Sequence, residues 1–325
     1  MKTTKAIALL SACLISGSLM AQSPSTLKTL PRLNPWTGSL QAGVGYWLGD
    51  ATYSIGGQAW TPETGSVELP NKISELSFPL NVAYGSVGGN LFWQGRYEIF
   101  GTVMGNLTDP STKMKDSDWG VFSDAETLDI YSESDATLTA VAADMGARYW
   151  FCPTSPTNQF SLSIGVGPSL LYQHLDWTIS NTDQWYPSQP QLEHDTQSGV
   201  VATYNSDIVM PYLNACAVVH FKRLGGRIEI GIGPALVRDE DDHRLRQKRS
   251  TADMVGAGVK GAAELRYDLT KHLFLLARAA ALTIDATGTS IDKGYGGDLT
   301  GYYAEIDEEF KLTSLNGGLS VGYNF

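Results

Sequence analysis

The chain has 325 residues, of which 42% are hydrophobic and 18% charged, with 34 glycines and a formal net charge of -11. Beyond the first residues no segment approaches the roughly 20 apolar residues of a membrane helix, which excludes a helical span, and no nucleic-acid partner is expected of so acidic a chain. Abundant Gly, Tyr and Trp with this charge suit a secreted β protein or an outer-membrane barrel.

At the N-terminus, Lys2 and Lys5 precede an apolar run from Ala6 to Met20 and then Ala21-Gln22. This reads as a secretory signal peptide over residues 1–21, cut after Ala21. A lipoprotein site at Cys13 is the competing reading, but the apolar stretch continues past it. Residues 22–37 are a lead-in and 38–325 the folded domain.

Leu40, Val44, Tyr46 and Leu48 alternate with Gln41, Gly43, Gly45 and Trp47, so one face is apolar and the other small or polar. The rhythm recurs over 75–84, 91–99, 138–151, 160–170, 213–221, 227–232, 255–266 and 315–325. Asp144 and Arg148 fall on the interior face of their strand, opposite Met145 and Phe151. The stretch 273–284 is apolar on both faces apart from Arg278. That makes about ten strands, the even number expected of a barrel whose chain ends lie on one side. Short turns are expected near 85–90, 152–158, 222–226 and 267–272. They alternate with long polar segments near 50–72, 104–136, 180–207, 239–252 and 286–305, the short-inside, long-outside asymmetry of an outer-membrane barrel. Tyr323 and the terminal Phe325 resemble the closing strand of such barrels. A soluble sandwich also alternates, but it does not explain an apolar face on nearly every strand opposite a polar and even charged one. The expected fold is all-β: a ten-stranded antiparallel transmembrane β-barrel standing out of the membrane. Cys152 and Cys216 are candidates for a disulfide, although spacing alone does not bring their Cα atoms together.

Two acidic clusters stand where strands run out into loops on the same side: Asp116-Ser117-Asp118-Trp119 and Asp239-Glu240-Asp241-Asp242-His243. Residues two apart share a face of a strand, so Asp116 pairs with Asp118 and Asp241 with His243. Extending the alternation of Arg227, Glu229, Gly231 and Gly233 puts Asp239, Asp241 and His243 on the lumenal face if the strand stays regular. A carboxylate beside an imidazole, facing a carboxylate pair, suits water activation. Plainer readings exist: Asp-x-Asp is a common turn signal, and the acids around His243 suit a hard cation, though their spacing matches no standard metal loop. His174, His194, His220 and His272 read as ordinary polar residues.

Together these two motifs, the strand count and the loop positions resemble the omptin family of bacterial outer-membrane endoproteases, over nearly the whole mature chain. The resemblance implies Asp116 and Asp118 on one side of a cleft and the Asp241-His243 dyad on the other, holding a water that attacks the peptide carbonyl without a covalent intermediate. Asp241 would orient the imidazole and stabilise its cation. It further implies Asp239 in the pocket for a basic side chain before the scissile bond and Asp129 in the pocket after it. Asp50 matches another acid of the first pocket, although its even number opposes the lumenal odd positions of its strand unless a bulge intervenes. Cationic peptides or proteins are the implied substrates, cleaved at basic and especially dibasic sites. No cofactor or metal is expected, and the chain is expected to act as a monomer at the outer membrane with its site on the extracellular face.

The run Arg244-Leu245-Arg246-Gln247-Lys248-Arg249 offers a dibasic sequence, and self-nicking between Lys248 and Arg249 is predicted; a basic loop gripping anionic lipid is the alternative. Family members bind lipopolysaccharide on the outer wall, and here Tyr172 and Gln173 fit that pattern while Asp176 stands where an Arg is expected. Rival functions are a non-catalytic barrel, either an adhesin or a small pore, and a lipid hydrolase. The last would need a Ser-His pair that no serine here supplies.

Overall fold

A computed structural model describes residues 36–151 and 160–325. The expected signal peptide, Cys13, Cys152 and all but the last two residues of the lead-in lie outside them. Strands β1 (Trp36–Thr61), β2 (Gly65–Glu68), β3 (Ser74–Pro79), β4 (Val82–Trp93), β5 (Tyr97–Asn106) and β6 (Met114–Trp119) come first. Seven long strands follow: β7 (Leu128–Trp150), β8 (Phe160–Trp185), β9 (Asp195–Phe221), β10 (Leu224–His243), β11 (Lys248–Asp268), β12 (Leu273–Gly294) and β13 (Tyr303–Asn324).

β3 and β4 both pair with β1, at residues 50–55 and 36–47 respectively. Likewise β5 and β6 both pair with β7. Each couple is therefore one stave with a short break, and the described residues form ten antiparallel staves with β2 as a small addition to the end of β1. β13 pairs back onto β1 from Ser39↔Asn324 to Trp60↔Glu305 and closes the ring, which removes the free sheet edge.

Alternation sets the two faces. On β13, Leu315, Leu319, Val321 and Tyr323 are exposed and point outward with Phe325. Ten residues at about 3.3 Å each, tilted by about 40°, give about 25 Å of height, the thickness of a membrane barrel's apolar band. β13 has 22 residues, so the wall rises about as far again beyond that band. On β10 the change is visible: above exposed Leu236 the outward side chains become Arg238, Glu240 and Asp242, with ion pairs to Asp253 and Arg249.

The turn expected at 85–90 is not there. Those residues lie within β4, where a Cβ on Gly89 would sit 2.4 Å from the Ser39 carbonyl, so glycine serves close packing of staves rather than reversal. The chain reverses at 94–96, where Gln94 and Gly95 adopt φ of 52° and 65°, as a tight hairpin requires. The predicted turn at 152–158 lies outside the described residues. At the other end, much of each expected polar segment is paired strand: His243↔Lys248 leaves only 244–247 as the β10–β11 connection.

The lumen, expected to be polar opposite the outer apolar face, is divided by an apolar layer: it is polar above that layer and, below it, at the level of the apolar band. There Arg148 bonds Glu98 at 3.2 Å, Asn214 at 2.5 Å and Glu229, while Lys260 bonds Asp144 and, at 3.0 Å, Tyr212. The Arg148 and Glu98 side chains have no exposed surface, so this network is enclosed within the lumen, beside a cavity lined by Asp144, Lys260 and Arg278. Above it Trp47, Phe78, Trp177, Tyr204, Met210, Met254 and Phe310 form an apolar core. Phe78 stacks on Tyr204 at 4.2 Å and lies tilted against Trp177 at 5.3 Å. This aromatic layer is the floor of the site described next.

Candidate active site

β10 is unbroken in its pairing with β11 from Leu224 to His243. Its inward row therefore continues past the apolar band to Asp239 and Asp241, both buried, and then His243. His243 Nε2 lies 2.9 Å from Asp241 Oδ2, with 19% of the imidazole side chain exposed. β6 is held between β3 and β7, with Asp116 opposite Leu76 and Ser132, and Asp118 opposite Ser74 and Ile130. Leu76 and Ser132 are buried on the lumenal side, so Asp116 shares that face, and Asp118, two residues on, follows it.

The two clusters meet electrostatically. Burial and the neighbouring Asp118 push the Asp116 carboxyl up to about 7, against the pull of His243 and Arg246; Asp241 adds to the rise. Burial disfavours the His243 cation, but the charge and hydrogen bond of Asp241 outweigh it and raise the imidazole above its ordinary value, with Lys248 and Arg246 acting the other way. Burial also opposes ionisation of Asp241, yet His243, Tyr53 and Lys248 together hold that carboxyl below the usual range. One oxygen each of Asp116 and Asp241, both Oδ1, is buried without a hydrogen-bond partner among the described residues. Such acceptors suit a bound donor.

Three participants were not anticipated. Tyr53 of β1 donates to Asp241 Oδ2, and Tyr204 of β9 donates to Asp239 Oδ2 at 2.8 Å. Their rings stack at 5.1 Å. Glu308 of β13 is buried beside Asp239: burial together with the charge and hydrogen bond of Asp239 raises it well above the carboxylate range. Asp239 is raised to about 6 by burial, despite hydrogen bonds from Glu308 and Tyr204 that favour its charged form. The signal for Glu308 was in the sequence, since Ala304, Ile306, Phe310 and Leu312 mark the even positions of β13 as the buried row.

Other expectations are corrected by alternation and pairing. Asp50 is exposed on the face of Leu48, opposite Tyr53; β1 keeps register with β13 through Ile55, so no bulge turns Asp50 inward. Asp129 is the extra residue of the bulge opposite Asp118/Trp119. It is fully buried, and its Oδ2 accepts the Phe122 and Ser123 N–H groups at 2.6 and 3.0 Å, which anchors the 120–127 loop, while its Oδ1 is buried without a hydrogen-bond partner among the described residues. Lys248 and Arg249 are in β11, paired on both sides with β10 and β12, so the bond proposed for self-nicking is not in an exposed loop. Tyr172 faces outward and bonds Asp207 at 2.7 Å, as expected of an outer-wall residue, and Asp176 is exposed beside it. Gln173 is buried in the lumen and cannot join them. Cys216 is buried and accepts from Arg227 Nε at 3.1 Å.

No protein-family model matches the sequence, and no curated protein matches it. Among solved structures, the outer membrane protease OmpT from Escherichia coli superposes with a TM-score of 0.73 at 16% identity, over 90% of this chain and 98% of that one. OprG from Pseudomonas aeruginosa and the translocator domain of NalP from Neisseria meningitidis reach TM-scores of only 0.39 and 0.36, at 8% and 9% identity, over 89% and 99% of this chain and 95% of each of theirs. The chain thus has the ten-staved outer-membrane β-barrel fold that it shares with OmpT.

Proposed function

We propose that this chain is an outer-membrane endopeptidase of omptin type, active on basic peptides at the extracellular mouth of its barrel. The observation that carries the reading is the Asp241–His243 contact at 2.9 Å, within electrostatic reach of Asp116, on the fold shared with OmpT.

The chemistry follows from the geometry. Asp241 accepts from Nε2, which leaves Nδ1 as the ring nitrogen with a free lone pair, a tautomer assigned from the hydrogen bond. Neutral His243 takes a proton from water at Nδ1 as the water oxygen attacks the scissile carbonyl, and returns it to the leaving amine. Asp241 stabilises the transient imidazolium. Asp116, poised near 7, holds the water by hydrogen bonding with Asp118. No covalent intermediate forms.

Substrate preference would rest on Asp239 with Glu308, in place of Asp50, as the acids of the pocket before the scissile bond. A buried carboxyl pair that retains a proton gains most from a cationic side chain, which favours its second ionisation. Lipopolysaccharide contact at Tyr172 is kept as part of the reading, without Gln173.

Refolded protein supplied with lipopolysaccharide is expected to hydrolyse a quenched dibasic peptide, with His243→Ala and Asp118→Ala inactive. Absence of turnover in correctly folded, lipid-supplied protein would instead support a non-catalytic adhesin.

A further inference from the structure

Tyr53 lies at the centre of the site, and the proton transfers above give it no role. Its ring is buried and stacked on Tyr204 at 5.1 Å and Phe78 at 6.1 Å, so its hydroxyl has a fixed direction. That hydroxyl bonds Asp241 Oδ2, the same oxygen that accepts from His243 Nε2 at 2.9 Å. The second oxygen of Asp241 has no hydrogen-bond partner among the described residues. The terminal torsion of an aspartate is broad, so a carboxylate held by the histidine alone would be free to rock. A second donor on the same oxygen removes that freedom.

We propose that Tyr53 is a positioning residue for the Asp241–His243 pair, fixing the carboxylate so that it holds Nε2–H and leaves Nδ1 free to act as the base. This rests on the reading of the pair as an acid-base couple. Tyr53 comes from β1, across the barrel from β10, so the first stave of the ring sets the geometry of the seventh. The hydroxyl also draws charge from Asp241. The other charged groups facing His243 are Lys248 and Arg246 on the β11 side and Asp116 from β6, itself beside Asp118; Glu308 from β13 faces Tyr53. All are retained when only the hydroxyl is removed.

Tyr53→Phe keeps the ring stack and removes the donor. Asp241 then presents its full charge to the imidazole, so the NMR titration of His243 in micelles, assigned by its loss in His243→Gln, is expected to move to higher pH. On a dibasic peptide kcat is expected to fall roughly tenfold to a hundredfold, the worth of one hydrogen bond to a charged group, with KM nearly unchanged. In an Asp241→Asn background, where the acceptor is uncharged, the same change is expected to lower kcat by a smaller factor. 3-Fluorotyrosine at position 53, a stronger donor of nearly native shape, is expected to move the titration to lower pH, and it keeps the test available if the Phe variant does not fold. An unmoved His243 titration in folded Tyr53→Phe, or an equal kcat loss in both backgrounds, overturns the proposal. Should the wild type hydrolyse nothing, the proteolytic reading fails while the titration still decides the role of Tyr53.

Discussion

Asp241→Asn preserves volume and exchanges one carboxylate oxygen for an amide nitrogen, at a group that receives two donors on a single oxygen. The Asn carbonyl oxygen takes the place of Oδ2 and accepts from both Tyr53 and His243 Nε2, so the tautomer is kept and what is lost is the negative charge that stabilises the imidazolium. An uncharged acceptor leaves the developing imidazolium without a charged hydrogen bond, worth about 1.5 to 3 kcal/mol, so a loss of about tenfold to a hundredfold in kcat is expected. A second effect has a fixed sign. Burial lowers the His243 pKa and Asp241 raises it to a net value above the ordinary 6.5. In the wild type, kcat/KM therefore climbs with pH through an acid limb above that value. Removing the negative charge leaves burial unopposed, and the limb moves to lower pH. Both effects are read from kcat/KM on a quenched Lys-Arg peptide across pH 5 to 9, with folding checked by heat-modified electrophoretic mobility. A folded Asp241→Asn protein losing less than about tenfold, with its acid limb unmoved, would refute this account of the dyad.

Further outcomes follow from the buried charges. Asp239 is raised from 3.8 to about 6, so its folded form binds a proton more tightly than its unfolded form. Its contribution to stability is greatest below about pH 4 and is lost as pH rises through about 6. Asp239→Asn is expected to flatten that part of the stability profile in thermal unfolding between pH 4 and 8, and an unchanged profile would count against the buried pair. Arg148→Met takes from the buried Glu98 and Glu229 their closest cation, leaving Arg227 at 3.6 and 3.7 Å and Lys260 at 3.5 Å, and is expected to cost about 3 kcal/mol, measured by denaturant unfolding in lipid vesicles. Folded, active protein is expected to show no cut between Lys248 and Arg249 by intact mass, since the ladder on both sides must open first; a single cut there would show that the β10–β11 end frays.

Much of this arrangement is legible in the residues. The period of two gave the number of staves, the outward apolar face and the inward row Asp239, Asp241 and His243, because β10 continues without a bulge to its end. Parity also warned against Asp50, and the unshifted register of β1 confirms the warning. What escaped depended on long-range register. Tyr53 is 188 residues from Asp241 and Tyr204 is 35 from Asp239, and no local pattern announces either partner. Glu308 was missed because the last strand was expected to begin at 315, whereas β13 starts at Tyr303. The glycines of β4 imitated a turn because glycine serves close packing as well as reversal. The aromatic floor was hidden because Trp47, Phe78, Trp177, Tyr204 and Phe310 come from five staves and meet only in the folded ring.

The most direct test is to map new peptide ends by mass spectrometry after folded, lipid-supplied protein acts on a mixed peptide library, beside an identical preparation of His243→Ala. Cleavage by the wild type concentrated next to Lys and Arg, and absent from the variant, is the predicted result. New ends that persist in His243→Ala, or none at all from the folded wild type, would contradict the assignment of Asp116, Asp118, Asp241 and His243 to one hydrolytic site.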